Sequence, residues 1–166
     1  MTSNRKGFDF GILIHGGAGV KKIKRTDDIT RSLKSAVSNG FDLLKRSSNK
    51  AVDSVEAAVA SMEDSGVFDA GVGSYLTIDK TVEMDASIMD GRDISAGSVG
   101  MAMGIKNPIK LARKIMERTD HVMMVSDGVT RLSKLFGNTV EEYPQELNKK
   151  ILNEYNKLMK NVRIIS

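Results

Sequence analysis

Apolar positions along the chain change their spacing several times, and each change marks an element. The run Phe10 to Ile14 (FGILI) is short, apolar and closed by glycines, which predicts a buried strand ending in a tight corner. From Thr26 the spacing becomes helical. Ile29, Leu33, Val37, Phe41 and Leu44 fall on one stripe to about Lys45, and Asp27 and Asp28 sit in the first turn, where acids favour the positive end of the helix dipole. A second helical set, Val52, Val55, Val59 and Met62, predicts a helix whose solvent side carries Asp53 and Glu56. Between Glu63 and Ser74 the period vanishes and three glycines appear, so this stretch reads as a loop with unusual backbone geometry.

Two alternating runs follow, Tyr75 to Ile78 and Thr81 to Met89, separated by Asp79-Lys80; they predict a β-hairpin. Asp90-Gly91 is a further turn signal, and the small-residue run Ile94 to Gly104 predicts a third strand packed tightly against something. Asn107-Pro108 opens a helix with proline at its first position and Ile109, Ala112 and Met116 on its buried face. His121 to Val125 reads as a short buried strand. Val129, Leu132 and Leu135 imply a short helix stopped by Gly137, and Leu147, Ile151, Tyr155 and Leu158 a last one from about Pro144 to Lys160. A strand, two helices, several paired strands and then short helices predict an α+β fold or a layered sandwich rather than regular βαβ alternation.

Bulk properties narrow this picture only a little. At 166 residues, 40% hydrophobic and 28% charged, the chain is ordinary globular material of one domain or part of one. The absence of tryptophan and the scarcity of other aromatics leave the core to aliphatic residues, alanine and ten methionines. A net charge of +4 is spread along the chain and reads as a solvated basic surface. With no cysteine, disulfides, dithiol redox chemistry and cysteine–zinc sites are excluded, and a cytoplasmic setting is expected. The N-terminus has no apolar stretch of signal-peptide length, and no run approaches a membrane span.

Candidate chemistry is thin. The corner His15-Gly16-Gly17-Ala18-Gly19 lacks the third glycine of a dinucleotide fingerprint, where Lys22 falls, and lacks the pattern of a P-loop. An anion- or nucleotide-binding module using this corner and Lys21, Lys22, Lys24 and Arg25 remains one reading; a tight turn with a solvated charge run is the other. Glu83 and Asp85 are two apart on a predicted strand and share a face, which suits an acid pair, half a divalent-metal site, or simply a polar face followed by the turn acids Asp90 and Asp93. His15 and His121 sit at strand ends outside any metal-ligand spacing. Ser126-Asp127-Gly128 reads as a turn into the following helix rather than as part of a triad. On its residues alone, the chain lacks a convincing nucleophile.

The motifs nevertheless converge. HGGAG (His15 to Gly19), DSVEAAVASMED (Asp53 to Asp64), FDAGVGS (Phe68 to Ser74), VEMDASIMDG (Val82 to Gly91) and the Asn107 to Val125 segment stand in order over about Ile12 to Phe136. Together they resemble the N-terminal half of the plant-type L-asparaginases, also called isoaspartyl peptidases, a family of N-terminal-nucleophile (Ntn) hydrolases. The resemblance implies an αββα four-layer sandwich completed by a separate β chain. It implies a longer precursor that cuts itself, with the new N-terminal threonine of the β chain as nucleophile and its own amine as base. Residues 1–166 would then be one α subunit, with about 137–166 the terminal helix and linker and the cut after or close to Ser166. Two αβ pairs would form a heterotetramer acting on asparagine or a β-aspartyl peptide, with no nucleic-acid or membrane partner.

The resemblance also places supporting residues on this chain. Main-chain carbonyls of Met62, Glu63, Ser65, Phe68, Ala70 and Val72 match the family's sodium-binding loop, so a structural Na+ is implied and no catalytic cofactor. Gly16, Gly17 and Asp69 match positions near the threonine. Asp69 stands where the family usually has asparagine, and a carboxylate does not donate to an oxyanion as an amide does. Asp85 matches a position that braces the hairpin near the loop. The substrate-binding residues are expected on the β chain. A glycosylasparaginase or a threonine endoprotease is the alternative within the same chemistry, although secreted, disulfide-bearing glycosylasparaginases fit poorly with a chain that has no cysteine.

Overall fold

The structure, a computed structural model, describes residues 10–18, 26–46, 51–137, 152–153, 155–157 and 159–160. Its elements are α1 (Thr26–Arg46), α2 (Ala51–Asp64), a single 3-10 turn (Gly71–Gly73), β1 (Met84–Asp90), β2 (Ser95–Ala102), α3 (Pro108–Arg118), β3 (Met123–Val125) and α4 (Asp127–Leu135). Helices and a small mixed sheet bear out the α+β expectation. Of the predicted last helix, residues 144–151, 154 and 158 lie outside the described residues, while 152–153, 155–157 and 159 are helical.

Helices α1 and α2 approach closely through small residues, while of the apolar stripes that periodicity singled out Leu44 is buried and Val52 and Val59 pack against the core. Ala36, Gly40 and Leu44 are the buried positions of α1, and Ser54, Ala58, Ala60 and Glu63 those of α2. A Cβ on Gly40 would stand 2.7 Å from the Ser54 carbonyl oxygen and 3.2 Å from the Ala58 Cβ. The two backbones therefore touch, and Val55, expected in the core, is left 44% exposed. Nor is the Asp53/Glu56 side simply solvated: Arg113 of α3 binds Asp53 at 2.6 Å, Glu56 at 2.5 Å and Glu117 at 2.7 Å. Partial burial lowers the affinity of this guanidinium for its proton, but the bonds from Glu117, Glu56 and Asp53 outweigh that and hold it above its ordinary value. The group locks α2 to α3 beside a cleft of about 580 Å³.

The sheet has the order β1-β2-β3, with β1 antiparallel to β2 and β2 parallel to β3. The parallel pair is reached through α3, so the fold holds one β-α-β crossover, though no regular βαβ alternation among the described residues. Gly97 brings α3 onto one sheet face: a Cβ there would lie 2.1 Å from the Ala112 carbonyl oxygen. On that face Ile88, Val99 and Ala102 pack with Ile109, Ala112 and Ile115 of α3 and Val129 of α4. The register turns Ser87, Met89, Ser98, Met123 and Val125 to the other face, where Met89, Met123 and Val125 are exposed.

Several strand expectations are corrected. Phe10–Ile14 is in no ladder among the described residues; Ile12 and Ile14 turn inward, with the Phe10 ring packed at a tilt against Phe41, 5.8 Å between centroids, while Leu13 is 95% exposed. One side of this run is packed and the other bare, so it is not a strand buried on both faces. The predicted hairpin before Met89 is only a turn, in which the Thr77 N–H donates to the Thr81 carbonyl at 2.8 Å and Lys80 N–H to the Thr77 carbonyl at 3.0 Å. The true hairpin joins β1 to β2 across Asp90-Gly91, and Glu83 precedes β1 instead of lying within it. β3 is an exposed sheet edge rather than a buried strand, because α3 covers only the side to which Met124 points. Leu135 points out of α4, 80% exposed, while Met116 of α3 is half-buried.

Ser126 confirms the turn reading and adds strain. It links β3 to α4 with φ 52° and ψ −128°, a region that is close to glycine-only, and its side chain caps nothing. Ser126→Gly is expected to stabilise the protein by about 1 kcal/mol, the relief of strain exceeding the entropy that glycine adds to the unfolded chain. A melting temperature unchanged or lowered in the variant would refute this.

Candidate functional site

The glycine corner and the loop after α2, far apart in sequence, are in contact. Phe68, 3% exposed, turns its ring toward Gly16, where a Cβ would meet the ring at 2.7 Å and Leu33 at 3.1 Å. Gly16 is therefore the position of close approach. Gly17 has a different reason to be glycine: its φ is 98°, with open space around it, so conformation rather than packing excludes a side chain. Its N–H donates to His15 Nδ1 at 3.3 Å.

The loop itself is closed from within. The Met62 carbonyl accepts from the Ser65 N–H at 3.2 Å and from its hydroxyl at 2.7 Å, and the Ala70 carbonyl accepts from the Gly73 N–H at 3.1 Å. Gly71, at φ 55°, sits so close to α2 that a Cβ would be 2.4 Å from the Glu63 carbonyl oxygen; a Cβ on Gly73 would be 2.2 Å from the Phe68 carbonyl oxygen. The backbone thus curls into a tight cradle, with the Glu63 and Phe68 carbonyl oxygens against positions that only glycine can occupy. Asp69 is exposed on this curl, and its Oδ1 accepts the Tyr75 N–H at 2.9 Å, which ties the middle of the loop to the residue that follows it.

Glu63 fastens the cradle to the rest of the fold. Its side chain is 2% exposed, with Oε1 accepting the Ile109 N–H and Oε2 accepting Asn107 Nδ2, both at 3.1 Å. It caps α3, whose own Asn107 makes no side-chain cap. Burial pushes its pKa up to about 7, with Asp64 adding to the rise and the Ile109 and Asn107 bonds and Lys110 opposing it. Sequence reading named Glu63 only for its carbonyl. A lone glutamate at a helix end reads as solvated, so nothing local signalled this role.

Asp85 is placed near the same end of the sheet. Between Met84↔Ala102 and Ala86↔Val99 the register slips, and Gly100 and Met101 together oppose Asp85. Met101 takes φ 51°, and its N–H, turned out of the ladder, is met by Asp85 Oδ1 at 2.9 Å. The carboxylate thus braces β1 against β2. Glu83 takes no part; it accepts from the Thr81 hydroxyl at 3.2 Å, and the two acids do not form a pair. His121, Asp90 and Asp93 serve local turns or lie exposed; Asp93 accepts from the Ser95 N–H at 3.1 Å, and its bonds with Ser95 hold it below its ordinary value. Among the described residues, no group of three His, Asp or Glu side chains is placed to hold a metal ion, and no helix is long and apolar enough to cross a membrane.

Comparison with known proteins decides the family. A family model described as asparaginase matches residues 9–163. The chain belongs to the asparaginase family. It is 43% identical over 152 residues to the plant-type L-asparaginase of Thermococcus kodakarensis, covering 85% of this chain and 48% of that protein. It is 47% identical over 127 residues to the plant-type L-asparaginase of Pyrococcus horikoshii, covering 76% of this chain and 41% of that protein. It is 42% identical over 147 residues to the isoaspartyl peptidase/L-asparaginase of Homo sapiens, covering 88% of this chain and 46% of that protein. This asparaginase-family chain therefore spans about half the length of the curated relatives it matches.

Proposed function

We propose that this chain is the α half of an autoprocessed L-asparaginase and isoaspartyl dipeptidase, whose nucleophile is the N-terminal threonine of a β half. The observation that carries the reading is the 43% identity to a plant-type L-asparaginase confined to 48% of that protein's length. The corner-and-loop site described above agrees with it: it offers backbone and glycines but no nucleophile paired with a base. In the proposed reaction the threonine oxygen attacks the side-chain carbonyl of asparagine or of a β-aspartyl peptide. The amine is released, and water then hydrolyses the β-aspartyl ester. A glycosylasparaginase, a threonine endoprotease and a nucleotide-binding module are not favoured, given relatives that are plant-type asparaginases and isoaspartyl peptidases.

The α half's part in this reaction is positioning. Gly16 and Gly17 would bring the main chain of the corner close to the threonine. Asp69 would hold the loop through Tyr75 rather than donate to an oxyanion, since its Oδ1 is an acceptor already engaged. The loop suits a structural Na+: carbonyl oxygens are hard donors, those of Glu63 and Phe68 lie against glycines that leave no side chain over them, and the carbonyls of Met62, Glu63, Ser65, Phe68, Ala70 and Val72 would hold the ion. The bare sheet face would take the second sheet of an αββα sandwich, two αβ pairs would make the heterotetramer, and the cut would fall after or close to Ser166. Cytoplasmic location remains the setting proposed for a chain without cysteine.

Intact-mass analysis of the mature enzyme tests the reading. Two species are expected, one of them beginning with threonine, and both are required for hydrolysis of asparagine and of a β-aspartyl dipeptide. Full activity from this chain alone would end it. Gly17→Val is expected to block or strongly slow self-cleavage, because a β-branched residue is not accommodated at φ 98°. A time course of the precursor band gives the answer, and unimpaired cleavage would remove the corner from the maturation step.

A further inference from the structure

The sheet face opposite α3 carries one feature that an ordinary apolar docking face lacks. Met89, Met123 and Val125 are exposed there beside Ser87 and Ser98, and Met101 is exposed at the bulge opposite Asp85. In their midst is Asp85. A Cβ on Gly100 would meet Met123 at 3.1 Å, Val125 at 3.2 Å and Asp85 Oδ1 at 3.5 Å, so these side chains share one small patch. Oδ1 accepts the Met101 N–H, and Oδ2 has no hydrogen-bond partner among the described residues. In water this is of no consequence. Under a covering sheet it is costly, because a carboxylate oxygen removed from water needs a donor.

We propose that Asp85 is the polar pin that registers the second half of the protein on this sheet: Oδ1 closes the bulge within this chain, and Oδ2 accepts a hydrogen bond from an N–H, O–H or cationic donor on the covering half. The inference rests on the reading that a second half covers this face. The occupant follows from lengths: the matched relatives are about twice as long as the stretch they share with this chain, so comparable chain remains to lie on the bare sheet. A sheet-on-sheet contact between Met, Val, Ala and Ser side chains tolerates sliding, since such residues pack in more than one way. One buried acceptor with one donor does not, because any slipped register leaves both unpaired.

Two measurements on the protein carrying both halves test this. Methionine oxidation by peroxide reports whether the face is covered: Met101 and Met123 are expected to oxidise roughly tenfold or more slowly than free methionine included in the same reaction. Equal rates would overturn the covering reading and the pin with it. With protection established, Asp85→Asn isolates the pin. The asparagine oxygen still accepts the Met101 N–H, so hydrogen exchange at Met101 is expected to stay as slow as in the wild type. The new NH₂ points a donor at a donor, and the halves are expected to separate roughly tenfold or more readily in a urea-dependent dissociation assay. Asp85→Ala is expected to lose both bonds, so that Met101 exchanges faster and the halves also separate more readily. Separation of the Asp85→Asn halves at the wild-type urea concentration, with the methionines still protected, would refute the pin while leaving the covering reading intact.

Discussion

Gly71→Ala is expected to destabilise the protein by about 3 kcal/mol and to disorder the loop it belongs to. Two independent costs add. The residue sits at φ 55°, where an L side chain is strained, and the added methyl would stand 2.4 Å from the Glu63 carbonyl oxygen and 2.5 Å from its Cβ. Neither obstacle is the flexible end of a side chain. Relief requires moving the last turn of α2 or the loop, and the α2 turn is held by Glu63 on α3. The loop in turn supports Phe68 and, through it, the glycine corner, so the effect should spread to both. Urea unfolding gives the magnitude. A loss below about 1 kcal/mol would show that the loop relaxes freely and is no rigid cradle.

Stability is also expected to fall as pH rises from about 4.5 toward 7, on account of Glu63. Its folded pKa is about 7 against an ordinary 4.5, so the folded state binds the proton more tightly than the unfolded chain. The stability linked to that proton is fully present below pH 4.5 and is lost as pH rises through about 7. A shift of this size corresponds to about 3 kcal/mol. Asp93, held below its ordinary value, acts in the opposite sense and only at lower pH, where falling pH removes what it adds. Glu63→Gln cannot ionise and is expected to flatten the pH 5 to 8 slope of urea-unfolding free energy. An unchanged slope in the variant would assign the pH dependence to other groups.

How much of this was legible beforehand depends on the physics each feature uses. The spans of α1, α3 and α4 follow from local periodicity and start signals, such as Asp27 and Asp28 in the first turn of α1 and Pro108 at the start of α3, and they lie within a few residues of expectation. The loop after α2 was legible because glycine density reports backbone demand directly. Asp85 was expected to brace the hairpin before Met89; it braces β1 against β2 instead, across a bulge that no local rule marks. What escaped was everything set by a partner distant in sequence. Asp53 and Glu56 look solvated until Arg113, 57 residues beyond Glu56, lies against them. Phe10–Ile14 looks like a core strand, but neighbours decide that, and on one side it has none among the described residues.

By itself, the sequence determined the order and type of most elements, the places where only glycine serves, and the membership of a family whose motifs recur in fixed order. Those properties depend on short-range sterics and on side-chain identity, which a linear string carries. The tertiary structure alone decided which glycine is a contact and which a conformation, with Gly16 under Phe68 and Gly17 in open space. It also decided that Glu63 is buried and shifted, and that Asp85 closes the bulge with one oxygen while the other has no hydrogen-bond partner among the described residues. Burial, desolvation and hydrogen-bond completion are properties of what surrounds a group, and those surroundings exist only once distant segments have packed.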